Sequence, residues 1–272
     1  MDIPKQINTS LRSKAYFELG SLYKYRFLVV ELIIRNIKTR YKRSFLGVAW
    51  TMVNPLLTML VMTIVFSQLF AFELPRYPIY ILSGLLLWNF FSETTVSAIR
   101  NLVWSSRLIK RIRIPSSIFA VAAVGTGLVN LIIALLPLSL IILITKSHLG
   151  IALLFLPISI VLASIFALGV GLAISAQAVF FTDVVDMYQI LLLAWMYLTP
   201  IFYPQEIIAE KFQWIVSINP MYYLLECFRS PIYYNKFPEP NIIIGATIIS
   251  IITFLLGGLI FINKSDQFAY YI

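Results

Sequence analysis

Six long stretches of this chain are almost free of charged side chains, and they restrict its fold more than any other feature. They are residues 44–72, 77–99, 114–145, 148–182, 187–203 and 240–263. A bilayer core about 30 Å thick is crossed by a helix of roughly 20 apolar residues. Because hydrocarbon offers no water to backbone amides, such stretches form helices rather than loops or open strands. The sequence therefore predicts an all-α integral membrane protein with six transmembrane helices.

The distribution of basic residues predicts the orientation of these helices. Of the 21 lysines and arginines, 10 precede residue 44 and 5 lie in residues 100–113. With six spans, 16 of the 21 fall on the side of the N-terminus. Basic loops are retained in the cytoplasm, so both termini are predicted to be cytoplasmic. The net charge of +9 thus follows membrane orientation, and nucleic acid is not expected as a partner.

The N-terminal segment 1–43 contains the pattern of one amphipathic helix. In residues 26–43, apolar side chains recur every three or four positions and polar side chains form the opposite stripe. The apolar positions are Phe27, Val30, Ile34, Ile37 and Tyr41, and the polar ones are Glu31, Arg35, Lys38 and Lys42. This pattern is typical of a helix at the lipid interface. The alternative, a helix of a soluble N-terminal domain, is disfavoured because few residues precede it.

A segment at 100–114, between the second and third stretches, combines basic and apolar side chains. Its characteristic members are Trp104, Arg107, Leu108, Lys110, Arg111, Ile112 and Arg113. A lipid anchor at the inner surface would explain the charge alone. The ridge of Trp104, Leu108 and Ile112 at helical spacing favours instead a helix that docks on a partner.

Residues 204–238 are too polar to cross the membrane and too apolar for an ordinary loop. Pro204, Pro220 and Pro231 divide them into two short stretches, each about one leaflet long as a helix. We expect both to dip into the outer leaflet, with their ends facing protein or water. The alternative is a hairpin that rests on the outer surface. Residues 195–237 also hold 12 of the 40 aromatic residues, either as an interfacial belt or as the mouth of a pathway for sugars.

Motifs for chemistry are scarce. The phosphate-binding pattern G-x-x-x-x-G-K-[ST] does not occur, and the single histidine, His148, excludes a Cys/His metal cluster. Glu93 is the best intramembrane charge for ion-coupled transport, but its position near Arg100 favours snorkelling or local pairing. Asp183 and Asp186 lie in a short turn and are expected to face water or a partner. We therefore expect no enzyme activity and no metal or cofactor bound by this chain.

Five segments carry a family resemblance. They read RNIKTRYKRSFLGVAWTMVNPLLTMLVMTIVFSQLF (35–70), YPIYILSGLLLWNFF (77–91), LIKRIRIPSSIFAVAAV (108–124), LTPIFYPQEI (198–207) and WIVSINPMYYLLECFR (214–229). In this order they resemble the membrane (permease) subunits of type-2 ABC exporters of lipid-linked polysaccharide, which include O-antigen, teichoic-acid and capsule exporters. The N-terminal 25 residues match nothing in that family.

The resemblance implies a division of the chain and a set of partners. Residues 1–43 would be a cytoplasmic segment with the interface helix, 44–263 the six-span domain, and 264–272 a cytoplasmic tail. A homodimer would bind two copies of a separate ATPase, which holds ATP and Mg²⁺. The complex would lie in the bacterial inner membrane and move a polyprenyl-diphosphate-linked glycan outward.

The resemblance also suggests roles for particular residues. The 100–114 helix would couple to the ATPase, and two gate helices would lie at about 204–236. Gate residues would be Pro200, Phe202, Tyr203, Pro204, Trp214, Asn219 and Pro220. Aromatic residues of a glycan channel would be Trp50, Phe66, Trp88, Trp195 and Tyr197. Basic side chains at the end of the interface helix would attract the lipid diphosphate through their charge. They are Lys38, Arg40, Lys42 and Arg43.

Two other functions stay open at this point. A drug or small-lipid exporter of the same superfamily would share the architecture. An integral-membrane enzyme of lipid-linked sugar metabolism would need acidic or histidine residues clustered at one membrane face, and Asp183 with Asp186 is the only such pair in the sequence.

Overall fold

The structure is a computed structural model that describes residues 18, 20, 22–42, 44–69, 76–104, 114–145 and 150–271. This described part of the chain is helical and contains no strand. Six helices are long or apolar enough to be compared with the predicted spans. They are α2 (Trp50–Leu69), α3 (Tyr77–Trp104), α4 (Ser117–Ile144), α5 (Leu156–Ala178), α6 (Val184–Leu198) and α9 (Pro240–Ser265).

Four segments have the length and hydropathy of membrane-crossing helices. They are Gly47–Phe66, Ser117–Ile144, Ile151–Ala178 and Pro240–Ser265. The first and third include the 3-10 turns Gly47–Ala49 and Ile151–Phe155, which precede α2 and α5. The prediction of an all-α membrane protein with multiple spans is therefore confirmed.

The other two predicted spans differ from these four for separate reasons. At 15 residues, α6 is shorter than a bilayer core requires. The 28 residues of α3 are long enough, but they are more polar. Every residue from Ile79 to Ile99 is buried or half-buried within the chain. Because α2, α4, α5, α6 and the helix Pro220–Arg229 surround it, α3 does not need a lipid-facing apolar surface.

The interface helix α1 (Arg26–Tyr41) has two apolar faces. Leu32 is buried with Ala98 and Leu102 of α3 and with residues of α4. Phe27 and Val30, members of the predicted stripe, are exposed outside the rest of the chain. The helix therefore packs on the bundle through one face and leaves Phe27, Val30 and Ile34 of the predicted stripe exposed, as expected for a helix at the lipid interface. It lies near the C-terminal end of α3, called the α1 end below.

A backbone contact joins α5 and α9. A Cβ atom added to Gly257 would overlap the carbonyl oxygen of Gly169, so the two helices approach as closely as glycine allows. The hydroxyl of Ser250 donates to the Leu162 carbonyl oxygen (3.0 Å) at the same contact. Small residues at helix contacts are the usual means of close packing in membranes.

The segment between α6 and α9 forms the opposite end of the bundle, called the α8 end below. It comprises two 3-10 turns, α7 (Gln213–Ile218), α8 (Pro220–Arg229) and a π-helical turn at Ser230–Tyr234. A break at Asn219 separates α7 from α8, as the position of Pro220 suggested. A short α10 (Phe268–Tyr271) follows α9, and Phe268 is buried against Phe261 with ring centroids 5.1 Å apart.

Candidate functional site

At the α8 end, a loop at residues 199–204 closes the bundle and is held by one buried arginine. Arg229, the last residue of α8, is 0% exposed. Its Nη1 donates to the carbonyl oxygen of Pro200 (2.9 Å) and its Nη2 to that of Ile201 (3.3 Å). Nη1 also lies 3.4 Å from Oε1 of Glu226, one turn earlier in α8. The guanidinium thus connects α8 to a loop that has no regular backbone pairing.

Two tyrosines of α3 hold the same loop from the other side. The Tyr80 hydroxyl donates to the carbonyl oxygen of Tyr203 (3.0 Å), and the Tyr77 hydroxyl donates to that of Phe202 (2.7 Å). The Arg229 guanidinium carbon lies 3.8 Å from the centroid of the Tyr80 ring, within cation–π range. Four of the predicted gate residues, Pro200, Phe202, Tyr203 and Pro204, belong to this loop.

A glycine makes the arginine's position possible. A Cβ atom on Gly84 would lie 2.7 Å from Nη2 of Arg229 and 3.0 Å from Cγ2 of Ile201. Real Cβ atoms are not found so close to other heavy atoms, so any larger residue would displace the guanidinium or the loop.

Asn219 connects α6, the loop and α8 through four hydrogen bonds. Its Oδ1 accepts from Trp195 Nε1 (2.8 Å) and from the backbone N–H of Met221 (3.0 Å), which caps α8. Its Nδ2 donates to Thr199 Oγ1 (3.0 Å) and to the Leu198 carbonyl oxygen (3.2 Å). The structure therefore brings the predicted gate residues Asn219 and Pro220 together with the loop. Trp214 on α7 is 60% exposed and stands apart.

The predicted channel aromatics occupy different environments. Trp88 is 4% exposed, and its ring centroid lies 6.2 Å from that of Trp195 in a core cluster with Phe91 and Phe166. Phe66 stacks on Phe202 (6.3 Å). Tyr197 and Trp50 are 55% and 47% exposed, toward opposite ends of the bundle. Within the chain, Trp88 packs in the core, and Trp195 contacts Asn219 and Thr199 beside the loop; the role of both in a channel remains a prediction.

The α8 end is polar although much of it is buried. Burial raises the pKa of the Glu226 carboxyl above its ordinary value, and the Arg229 guanidinium opposes this shift. Burial, with a contribution from Glu226, raises the pKa of Tyr222 and of Tyr234 to about 12. These phenols are therefore hydrogen-bond donors at neutral pH. They line a cleft of about 650 Å³ together with Glu226 and Arg76.

A second concave site lies between α1, α2, α3 and α4. It is a cavity of about 440 Å³. Its polar lining residues are Arg40, Thr51, Asn54, Asn89, Glu93 and Asn130, and its aromatic ones are Trp50 and Phe90. Arg40 Nη1 donates to Glu93 Oε2 at 2.7 Å, and both side chains are about two-fifths exposed (42% and 41%). Glu93 is therefore locally paired, with a residue of the interface helix.

The remaining predicted residues are placed as follows. Lys38 and Lys42 are exposed on and just after α1. Arg43 lies outside the described residues, as do Arg107, Leu108, Lys110, Arg111, Ile112 and Arg113 of the predicted docking helix. Trp104 is the last residue of α3. The first part of the predicted 100–114 helix, residues 100–104, therefore belongs to the end of this span. Asp183 and Asp186 are exposed at the start of α6.

Sequence reasoning missed the central role of Arg229 and the cavity at the α1 end. In the sequence, Arg229 was only one of the charges that make its segment too polar to span the membrane. Its hydrogen-bond partners could not be predicted, because they are carbonyl oxygens almost 30 positions earlier. Asn54, Asn89 and Asn130 lie in three different helices. A polar amide within an otherwise apolar stretch was the available signal. Among the described residues, no group of three or more His, Cys, Asp or Glu could hold a metal.

These features define a class: a multi-pass helical membrane protein with a polar cavity at one end and a hydrogen-bonded closing segment at the other. Residues 28–233 match the family described as ABC-2 type transporter, and the chain belongs to that family of membrane transport proteins. It is 29% identical over 258 residues to an O-antigen export system permease protein, RfbA, of Myxococcus xanthus, covering 91% of this chain and 96% of that protein.

Two further relatives have similar names. An O-antigen export system permease protein RfbA of Klebsiella pneumoniae is 24% identical, over 79% of this chain and 83% of its own length. The capsule polysaccharide export inner-membrane protein CtrC of Neisseria meningitidis is 25% identical, over 78% of this chain and 81% of its own length.

Proposed function

We propose that this chain is the channel-forming permease subunit of an ATP-driven exporter, which carries a polyprenyl-diphosphate-linked polysaccharide out of the cytoplasm across the bacterial inner membrane. The observation that supports this most directly is the similarity to the Myxococcus xanthus O-antigen export permease along 91% of the chain. The meningococcal capsule exporter adds a second relative whose printed name refers to a polysaccharide.

ATP hydrolysis would be supplied by two copies of a separate ATPase, since the sequence contains no phosphate-binding loop. The 100–114 segment remains the proposed docking site. ATP-driven closure of the ATPase pair would move this segment and bias the spans between closed and open arrangements.

The working unit is proposed to be a homodimer of six-span chains with both termini in the cytoplasm. Large apolar side chains of α2, α6 and α9 are exposed in the single chain, among them Ile64 (59%), Ile190 (70%) and Leu255 (55%). Lipid or a second copy would cover these faces. Six helices whose centre is filled by α3 leave no room for a hydrated glycan, which favours a pathway between two copies.

In this arrangement the α8 end faces outward and the 199–204 loop belongs to the outer gate. The loop is closed by hydrogen bonds from Arg229, Tyr80 and Asn219, each of which can exchange its carbonyl or hydroxyl partner for water or sugar hydroxyls. Opening would therefore replace polar contacts rather than expose a hydrophobic core. Phenols and carboxylates in the adjacent cleft suit contacts with an emerging glycan.

The test is depletion of the chain in the bacterium that encodes it. We expect surface polysaccharide to fall while its polyprenyl-linked precursor accumulates inside, and plasmid-borne chain with its ATPase should restore both. An ATPase variant that binds but does not hydrolyse ATP is the control and should not restore export. Unchanged surface glycan, with altered drug susceptibility instead, would refute the proposal in favour of a drug or small-lipid exporter.

A further inference from the structure

We propose that the cavity between α1, α2, α3 and α4 binds the diphosphate end of the lipid-linked substrate, and that substrate phosphate replaces the Glu93 carboxylate as the partner of Arg40. This inference rests on the proposed function and identifies where that substrate is first held. Its residues are Arg40, Asn54, Asn89 and Asn130, with Glu93 as the internal competitor.

The ion pair is suited to exchange. Arg40 and Glu93 are joined at 2.7 Å, yet each side chain is about two-fifths exposed. Partly exposed pairs contribute little net stability because solvent screens them. A diphosphate offers more negative charge than one carboxylate, and the planar guanidinium binds its oxygens in a bidentate manner. Glu93 therefore keeps Arg40 in place without holding it strongly.

The amide side chains explain why the cavity is polar. Asn54, Asn89 and Asn130 come from α2, α3 and α4 and line the same 440 Å³ space. Polar groups at membrane depth are costly unless they face protein, water or a polar ligand. Each amide can both donate to a phosphate oxygen and accept from a sugar hydroxyl. The ring of Trp50, 47% exposed at the same cavity, can stack on the first sugar.

The surroundings suit the rest of the molecule. Leu57 and Val61 follow Asn54 by three and seven positions on α2, so they share its face, and both are 53% exposed. This apolar strip begins beside the cavity and provides a surface for the polyprenyl tail. The exposed Lys38 and Lys42 flank Arg40 in sequence and would raise the local concentration of anionic lipid.

The test is equilibrium binding of polyprenyl diphosphate without glycan to the permease–ATPase complex in nanodiscs. Polyprenol without phosphate and inorganic pyrophosphate are the other two ligands, and they separate tail from headgroup. We expect Arg40→Gln to weaken polyprenyl diphosphate binding about tenfold or more, the factor of one charge-assisted hydrogen bond. We expect Glu93→Gln to strengthen it several-fold because the Glu93 carboxylate no longer competes with the diphosphate for Arg40.

Arg35→Gln is the matched control, since it removes the same charge from an exposed position of α1. The loss of affinity caused by Arg35→Gln should be smaller than that caused by Arg40→Gln, and it should disappear at high salt. If phosphate replaces Glu93 as the partner of Arg40, the variants at residues 40 and 93 should have opposite effects on binding. If the ion pair only stabilises the fold, both variants should change binding in the same direction. Equal weakening by both variants, or equal binding of polyprenol and the diphosphate, would overturn the subsite. Failure of the wild-type complex to export glycan in the depletion strain would instead refute the proposed function.

Discussion

Replacement of Arg229 gives the sharpest test of how the 199–204 loop is held. We expect Arg229→Met to destabilise the α8 end by about 3 kcal/mol, because it leaves the Glu226 carboxylate, only 19% exposed, without its cation. The carbonyl oxygens of Pro200 and Ile201 lose their guanidinium donors at the same time. Methionine fills much of the arginine's volume, so the loss reports polar contacts rather than a cavity.

Cys227 provides the assay, since it is the only cysteine in the chain and is 0% exposed within α8. Burial raises the pKa of its thiol to about 12, so the closed protein should react slowly with a maleimide. When reclosing is fast, the labelling rate follows the population of open molecules. A loss of about 3 kcal/mol increases that population by about two orders of magnitude, and labelling should accelerate equally.

The pH dependence of the destabilisation in Arg229→Met shows which interaction causes it. Folding raises the pKa of Glu226, and the loss of Arg229 should raise it further because the opposing cation is gone. An acid with a raised folded-state pKa costs stability as pH increases through that range. The defect of Arg229→Met should therefore be smallest at about pH 5 and grow toward about pH 8, whereas Glu226→Gln/Arg229→Met should lack this dependence. Labelling of Arg229→Met within about threefold of wild type at high pH would refute the reasoning.

Two other variants test the gate and the docking segment. Gly84→Ala should destabilise the α8 end by about 1–3 kcal/mol through overpacking, because its Cβ would lie 2.7 Å from Nη2 of Arg229. Thermal unfolding followed by thiol labelling measures the loss, and an unchanged midpoint would show that the loop shifts freely. Leu108→Glu with Ile112→Glu, outside the described residues, should abolish export while membrane insertion is retained. Normal export and normal ATPase association in that variant would return the segment to the status of a lipid anchor.

The sequence predicted the elements whose signal lies within one helix. Charge-poor stretches identified the four segments that are long and apolar enough to cross a membrane, and Pro220 identified the start of α8, because both effects act on the local backbone. The double-faced packing of α1 was only half predicted. The exposed members of its predicted stripe have the expected spacing, but the burial of Leu32 depends on where α4 lies.

Contacts between segments that are far apart in the sequence could not be predicted from local patterns. The loop at 199–204 has no periodicity, and its conformation depends on Arg229 from α8 and Tyr80 from α3. The α1-end cavity similarly requires the rotation of three helices that brings Asn54, Asn89 and Asn130 to one space. A single sequence shows that each amide is polar, but it does not show that the three side chains line one cavity.

Asn219 allows the same network to be tested by a change of one heavy atom. In Asn219→Asp the amide donor that contacts the Leu198 carbonyl oxygen (3.2 Å) becomes an acceptor facing an acceptor. We expect a loss of about 1–3 kcal/mol at neutral pH, the usual cost of an unsatisfied buried polar group. The new carboxyl should have a folded-state pKa above its unfolded value, so protonation at low pH restores a donor and removes most of the loss. Asn219→Ala, which also breaks the cap of α8 and the bond from Trp195, should lose stability without this pH dependence. Thiol labelling of Cys227 across the same pH range distinguishes them, and a pH-independent defect in Asn219→Asp would mean that the amide donor does not hold the loop.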